Sequence, residues 1–170
     1  MKQLAALALA TGCAHTAPPP PVTAPAPLSQ ALAPLAFYVG TWKCTGTEYN
    51  ETGAVSKQYP DLGVTVTPDY ASWLKIAVYD HGKQVTSELK GIDDKGHYHH
   101  VFTGDDGSYG SLTSPGWSGN QLVFDEDHPD PSGKTRMTFT KLDATHYTHK
   151  AETDTGKGFQ LGFEKTCHKV

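Results

Sequence analysis

Histidine is the residue type in this sequence whose number and spacing could support chemistry. Nine of the 170 residues are histidine, and most of them lie in two short segments. In a β-strand His97 and His99 would point to the same face, roughly 7 Å apart, which suits metal binding. A third ligand would have to come from His146 or His149, on a strand that the sequence does not place beside them. We therefore expect solvent-exposed, titrating histidines and predict no metal site.

Other chemical motifs give no catalytic assignment. The acidic loop from Asp125 to Asp130 superficially resembles a calcium-binding loop. It lacks the glycine and the terminal glutamate at the spacing of an EF-hand, and Pro131 stiffens it, so we expect a solvated turn. The sequence contains no nucleophile elbow, zinc-protease motif or phosphate-binding loop. We predict no catalytic residue and no cofactor, and an enzyme acting inside a cavity remains open.

Length and composition indicate one β-rich domain. The net charge of −4, with both signs interspersed along the chain, gives no electrostatic footprint for nucleic acid. Seventeen glycines, twelve prolines and many threonines and tyrosines favour strands over helices. The chain is therefore predicted to be a small β domain without a nucleic-acid partner.

The N-terminus is predicted to direct export. A positive charge at Lys2 precedes a short run of alanine and leucine, which is typical of a secretory signal and too short to span a bilayer. We assign residues 1–12 to a lipoprotein-type signal peptide, because small residues and Gly12 precede Cys13, the candidate for lipidation. Ala10 stands where that motif prefers leucine. A plain signal peptide with an incidental Cys13 is the alternative.

Residues 13–27 are predicted to be the lipidated cysteine and a tether. The segment is rich in proline and almost uncharged, so it favours extended polyproline II structure. It could hold a domain roughly 40 Å from its anchor. Several acyl chains on Cys13 would anchor it stably. We expect an exported protein in the bacterial cell envelope, anchored to a membrane and facing the periplasm, with the outer membrane favoured.

Residues 28–170 are predicted to form an all-β domain, a nine- to ten-stranded antiparallel up-and-down barrel. Short segments separated by turn signals recur at roughly ten-residue spacing, and no long helix intervenes. Alternation supports half-buried strands, since Phe159, Leu161 and Phe163 share one parity. The segment 28–39 holds the only helical pattern and would close one end of the barrel.

Cys44 and Cys167 are predicted to form a disulfide. If Cys13 is lipidated, these two remain as an even pair in an oxidising compartment. Cys44 has the parity of Trp42 and Cys167 that of Phe163, so both would point to the apolar side of their strands. The first and last strands of such a barrel are neighbours, and the bridge would seal it. Two free buried thiols are the alternative.

The segments GTWKC near the start and FEKTCHK at the end resemble a family of small exported bacterial proteins of unknown function. Its members have a lipocalin-like or fatty-acid-binding-protein-like fold. The resemblance covers roughly residues 35–168 and implies a small apolar ligand inside the barrel. The opening also resembles nitrobindin-type haem barrels. Cys44 departs from their Gly-x-Trp-x-Gly-x-Gly pattern, and no histidine of the last strand before Cys167 matches a haem ligand.

Reversible, non-covalent binding of a small lipophilic molecule is therefore the expected function. The alternatives are a haem or metal-binding barrel with converging histidines, a cavity enzyme that needs a buried carboxylate or histidine, and a filled barrel that binds envelope partners. In the last case an outward face of Trp73, Lys75, Ala77 and Tyr79 would be the contact surface.

The candidate ligand-binding residues are mostly aromatic side chains whose strand positions could face the interior. For each of them core packing is the alternative, because side chains can fill a small barrel. The set is Trp42, Tyr79, Tyr98, His100, Phe102, Met137, Phe139 and Phe163.

Overall fold

The computed structural model describes residues 28–70, 72–128 and 133–170. The predicted signal peptide, Cys13 and tether lie outside the described residues, as does the part of the acidic loop at 129–132. The described chain forms one 3₁₀ helix, Gln30–Tyr38, followed by eleven strands. These are β1 (Gly40–Tyr49), β2 (Val55–Asp69), β3 (Trp73–Asp80), β4 (Lys83–Ile92), β5 (Tyr98–Gly104), β6 (Tyr109–Ser114), β7 (Trp117–Ser118), β8 (Gln121–Glu126), β9 (Lys134–Lys141), β10 (His146–Asp154) and β11 (Phe159–Lys169).

Ten of the strands form a closed antiparallel barrel. Each strand pairs with its neighbour along the chain, and β1 pairs with β11. The remaining gap is closed where β6 pairs with β8, with Leu112 opposite Glu126. The two-residue strand β7 is an addition to β8. The predicted all-β, nine- to ten-stranded barrel with a short N-terminal helix is confirmed.

The strands follow the alternation of apolar residues. In β3, Leu74, Ile76 and Val78 are buried inside the barrel, while Lys75 between them is exposed. Such period-two burial is what one solvated face and one core face require. The apolar residues of β3 therefore face the barrel interior.

Two bulges change details of the predicted strands. The residues on both sides of Pro60 belong to one strand, β2, which has a register shift opposite Cys44 and Gly46. A bulge accommodates Pro60, which has no amide proton for the ladder. A second shift in β11 pairs Phe163 with Ala151 but Leu161 with Glu152. Phe163 and Leu161 therefore lie on opposite faces, and their predicted common face is wrong.

The helix closes one end of the barrel. Its residues Leu32, Leu35 and Tyr38 are buried against the core, and Pro34 lies inside it. The indole nitrogen of Trp42 donates a hydrogen bond to the carbonyl of Tyr38 at 2.8 Å. This nine-residue helix, the one helix of the described chain, is neither long nor apolar enough to cross a membrane.

Four aromatic rings fill the barrel beneath the helix. The ring of Tyr147 lies 4.9 Å from that of Trp42, 5.1 Å from that of Tyr38 and 4.8 Å from that of Phe139, measured between centroids. All four side chains are buried. Edge and tilted contacts of this kind stabilise beyond the area they bury. The helix end of the barrel is therefore solid.

The predicted disulfide joins the terminal strands. Cys44 and Cys167 are bonded to each other and are direct partners in the β1–β11 pairing. The bridge spans 123 residues of sequence. It fastens the seam at which the barrel closes.

Candidate functional site: a polar-floored cavity

The half of the barrel away from the helix is hollow. A cavity of about 620 Å³ opens there, between the β3–β4 turn around His81 and the β5–β6 turn around Asp105. A volume of this size lies within the range of ligand pockets. The barrel is therefore solid at one end and hollow at the other.

The cavity wall is mainly apolar. The side chains that form it come from strands around the whole barrel, because each strand points alternate residues inward. They include Leu62, Val78, Phe102, Met137, Ala151 and Phe163.

Charged and polar side chains form the cavity floor above the aromatic rings. Oε2 of Glu88 accepts hydrogen bonds from Nζ of Lys90 at 2.9 Å and from Nε2 of His100 at 2.9 Å. All three residues are buried. Nζ of Lys90 also lies 5.5 Å from the ring centre of Tyr38, so the cluster rests directly on the aromatic layer.

Attraction to its neighbours keeps Glu88 ionised. Burial by itself would raise the pKa of Glu88, but Lys90, the hydrogen bond from His100 and the charge of Lys165 together hold it well below its ordinary value. Burial and the neighbouring Lys90 lower the pKa of His100 to about 4, against the opposing effect of Glu88. At neutral pH Glu88 is a carboxylate and His100 a neutral imidazole that donates Nε2–H to it.

His149 and Lys165 complete the floor from the other side. They are direct partners in the β10–β11 pairing, and both line the cavity. Neither ring nitrogen of His149 has a hydrogen-bond partner among the described residues, and neither does Nδ1 of His100. The described carboxylates form no ion pair with Lys165 either, and Glu88, the carboxylate of the floor, is bonded to Lys90 and His100.

The environment of both groups disfavours positive charge. Burial, followed by repulsion from Lys165 and Lys90, holds the pKa of His149 well below its ordinary value. Burial likewise lowers the pKa of Lys165, with attraction to Glu88 opposing and repulsion from Lys90 adding to the effect. Perturbed titrations beside a cavity are a feature of functional sites. This floor is the candidate functional site.

The rim of the cavity carries both signs of charge. Lys57 pairs with Asp80 at 3.9 Å, and Lys83 pairs with Asp105. Pairs as exposed as these contribute little to stability. Asp106 also lines the mouth, so three aspartates and two lysines lie at the rim.

The eight candidate ligand-binding residues divide into three groups. His100, Phe102, Met137 and Phe163 line the cavity. Trp42, Tyr98 and Phe139 are buried in the core outside the cavity lining. Tyr79 lies on the outer face of β3, with the parity of the exposed Lys75, so its predicted inward position is wrong.

The two histidine segments each send one residue to the cavity, His100 and His149, and their other histidines lie outside its lining. Nε2 of His99 donates a hydrogen bond to the carboxylate of Asp93 at 3.1 Å, and Nδ1 of His99 lies 3.2 Å from the hydroxyl of Thr113. Nδ1 of His97 lies 3.6 Å from the same carboxylate. His146 contacts Asp143 at the surface, whereas His149 is inside the barrel. Within residues 28–70, 72–128 and 133–170 no three potential ligands come together to hold a metal ion.

The acidic residues before residue 129 are engaged in pairing between strands. Asp125 accepts two hydrogen bonds from the guanidinium of Arg136, at 2.8 and 3.3 Å. Glu126 accepts one from the backbone amide of Thr135 at 2.8 Å, and Asp127 accepts one from Ser111 at 2.8 Å. These carboxylates stabilise the β6–β8–β9 region.

Sequence reasoning missed Glu88, Lys90, Lys165 and, as an interior residue, His149. A signal existed for Lys165, because it lies at the inward parity between Phe163 and Cys167. No such signal exists on β4, where Leu89 between the two charged residues is 37% exposed. There the usual pattern of polar outside and apolar inside is reversed.

Comparison with known proteins shows the fold. No family model and no curated protein matches this sequence. The crystal structure of Rv2717c from M. tuberculosis has a TM-score of 0.63 at 15% identity, covering 84% of this chain and 99% of that one. The S-type phycobiliprotein lyase CPES from Guillardia theta has a TM-score of 0.50 at 10% identity, covering 79% of this chain and 89% of the lyase. Both likenesses support a lipocalin-like barrel.

Proposed function

We propose that this protein binds a small lipophilic molecule reversibly in the hollow half of its barrel. The open cavity of about 620 Å³ with apolar walls is the observation that carries this proposal. Burial of the apolar part of a ligand would supply most of the affinity, at about 25 cal/mol for each Å² removed from water. A lipocalin-like fold is consistent with such a role.

We also propose that the barrel is exported and tethered to the bacterial envelope through a lipid on Cys13. The disulfide between Cys44 and Cys167 supports export, because such bonds persist in oxidising compartments. Mass analysis of the protein from its host tests the tether. Acyl chains on Cys13 are the expected result, and an unmodified or removed Cys13 would contradict it.

Native mass spectrometry of the protein purified from its host tests the binding function. We expect an excess mass that disappears on denaturation. In the variant Ala151→Trp, a large ring would enter the cavity and reduce that excess. The matched control is Lys150→Trp, which places the same ring on the exposed face of β10. Protein without excess mass, which also fails to bind any apolar probe, would contradict the proposal, and a ligand recovered chemically altered would favour the cavity enzyme.

A haem-binding barrel is the second candidate, and the position of His149 favours it. Neither ring nitrogen of His149 has a partner in the described part of the chain, and His149 and His100 line the same cavity. A neutral imidazole is a haem ligand. Titration with haemin tests this candidate. A Soret band that shifts on binding and is lost in His149→Gln is the expected result, and unchanged free-haemin absorption would exclude it.

A further inference from the structure

We propose that the ligand is an amphiphilic carboxylate whose anionic group binds Lys165 and His149 at the cavity floor. This inference rests on the proposed binding function and names the class of its ligand. The apolar part of the molecule would extend from the floor towards the mouth, along Phe102, Met137 and Phe163.

The balance of charge at the floor supports an anion. Two ammonium groups, those of Lys90 and Lys165, face one carboxylate, that of Glu88. Glu88 is already bonded to Lys90 and to His100 through the same oxygen. Burying a lysine charge is costly, so a ligand carboxylate beside Lys165 would offset that cost.

The hydrogen-bonding groups of Lys165 and His149 also support an anionic ligand. Neutral His149 offers one donor and one acceptor, and neither ring nitrogen has a partner among the described residues. Lys165, which lines the same cavity, offers three donors. The two residues are neighbours across β10 and β11, so they can donate to one small group together. A carboxylate accepts several such hydrogen bonds, and bonds to ionised groups are about twice as strong as neutral ones.

Protonation should be coupled to binding. A carboxylate beside His149 and Lys165 would favour their charged forms and reverse the shifts caused by burial. The other titratable groups that face them are Glu88 and Lys90 on β4 and His100 on β5. Glu88 would oppose the anion, while Lys90 would attract it. We therefore expect proton uptake on binding and tighter binding as the pH falls from neutral towards about 6, where His149 gains its proton more easily in the complex than in the free protein.

The experiment compares dodecanoate with dodecanol, which share a chain and differ in the head group. Isothermal titration calorimetry of the purified protein is expected to show dodecanoate binding at least about tenfold more tightly, equivalent to about 1.4 kcal/mol. Lys165→Met should remove this preference, so that dodecanoate binds no more tightly than dodecanol. Replacement of a buried lysine by an apolar residue of similar length is compatible with folding. His149→Gln provides a second variant and should reduce the preference and abolish the proton uptake, measured in buffers of different ionisation enthalpy.

The control variant is Lys150→Met, which removes a lysine from the exposed face of β10 and should keep the full preference. Equal affinities for the acid and the alcohol would overturn the inference while leaving the proposed binding function intact. A preference that survives in Lys165→Met would also overturn it. Failure of both probes to bind, with no mass excess on the native protein, would overturn the inference and the binding function together.

Discussion

Glu88 and Lys90 lie two residues apart on β4, and both point into the barrel, where Nζ of Lys90 is 2.9 Å from Oε2 of Glu88. Each has an exposed fraction below one-tenth, at 6% and 3%. Two opposite charges on the inner face of one strand give the cavity a polarised floor. We expect the stability of the fold to depend on this floor and on the contacts that hold the barrel around it.

Glu88→Gln should destabilise the fold. The substitution removes the only carboxylate that compensates Lys90 in the interior of the described barrel, and leaving one partner of a buried pair uncompensated costs about 3–5 kcal/mol. The free energy of unfolding, measured by urea denaturation at neutral pH, should fall by that amount. The exposed Glu51→Gln serves as control. A loss no larger than that of the control would show that Lys90 does not depend on Glu88.

Lys165→Met should stabilise the protein without ligand. The pKa of Lys165 is lowered in the folded state, so at alkaline pH the unfolded chain binds a proton that the folded chain does not. The unfavourable contribution of Lys165 is therefore largest at low pH and declines as the pH rises above its folded pKa. We expect the free energy of unfolding at pH 7 to rise by roughly 1 kcal/mol or more, and the rise to be smaller at about pH 10. A lower free energy of unfolding at pH 7 would refute this account.

Acid should destabilise the fold before the carboxylates titrate. The pKa of His100 is lowered to about 4 and that of His149 is also lowered, so below about pH 6.5 the unfolded state binds protons that the folded state excludes. The free energy of unfolding should fall between pH 7 and about pH 5. His149→Gln should make this slope shallower, and the exposed His168→Gln should leave it unchanged. Identical slopes in all three proteins would contradict the neutral state of His149.

Cys44→Ser should lower the melting temperature under oxidising conditions. The bridge closes a loop of 123 residues in sequence separation, and the chain-entropy model gives about 5 kcal/mol for such a loop. The variant should also be insensitive to reductant, whereas the wild-type melting temperature should fall on reduction. Scanning calorimetry with and without dithiothreitol measures both effects. Coincident melting curves of the variant and the wild type would show that the disulfide does not stabilise the barrel.

Gly91→Ala should destabilise the outer face of β3 and β4. The ring of Trp73 covers Gly91, its direct cross-strand partner, and a Cβ at that position would collide with the ring. Displacement of the ring should cost about 1–3 kcal/mol. Gly63→Ala is the matched control, since a Cβ there would meet only Tyr79 at 3.7 Å, an ordinary contact. Equal stability of the two variants would show that Trp73 moves at no cost.

Sequence patterns predicted the barrel because apolar alternation and turn residues mark its strands, and because Cys44 and Cys167 share the inward parity of their neighbours. The same patterns failed on Leu161, since the bulge that moves it to the outer face becomes visible only when the partner strand is known. They also failed on β4. There the inward set includes Glu88 and Lys90, and a polar inner face has the same periodicity as a polar outer one.

The interior position of His149 could not be read from the chain for a related reason. A histidine in a strand is compatible with either face, and its neighbours along the chain do not show what lies across the barrel. The pairing of β10 with β11 places it beside Lys165. Closure of the barrel places it opposite the Glu88 cluster. The cavity walls were therefore largely predictable, and the floor was not.

The location of the helix also determines how the barrel is presented to its surroundings. Leu28 and the helix that follows it pack on the solid end, while the mouth opens at the opposite end. The described chain therefore enters the barrel at the end opposite the mouth. In the proposed binding function a ligand enters and leaves at the mouth, which neither Leu28 nor the helix covers.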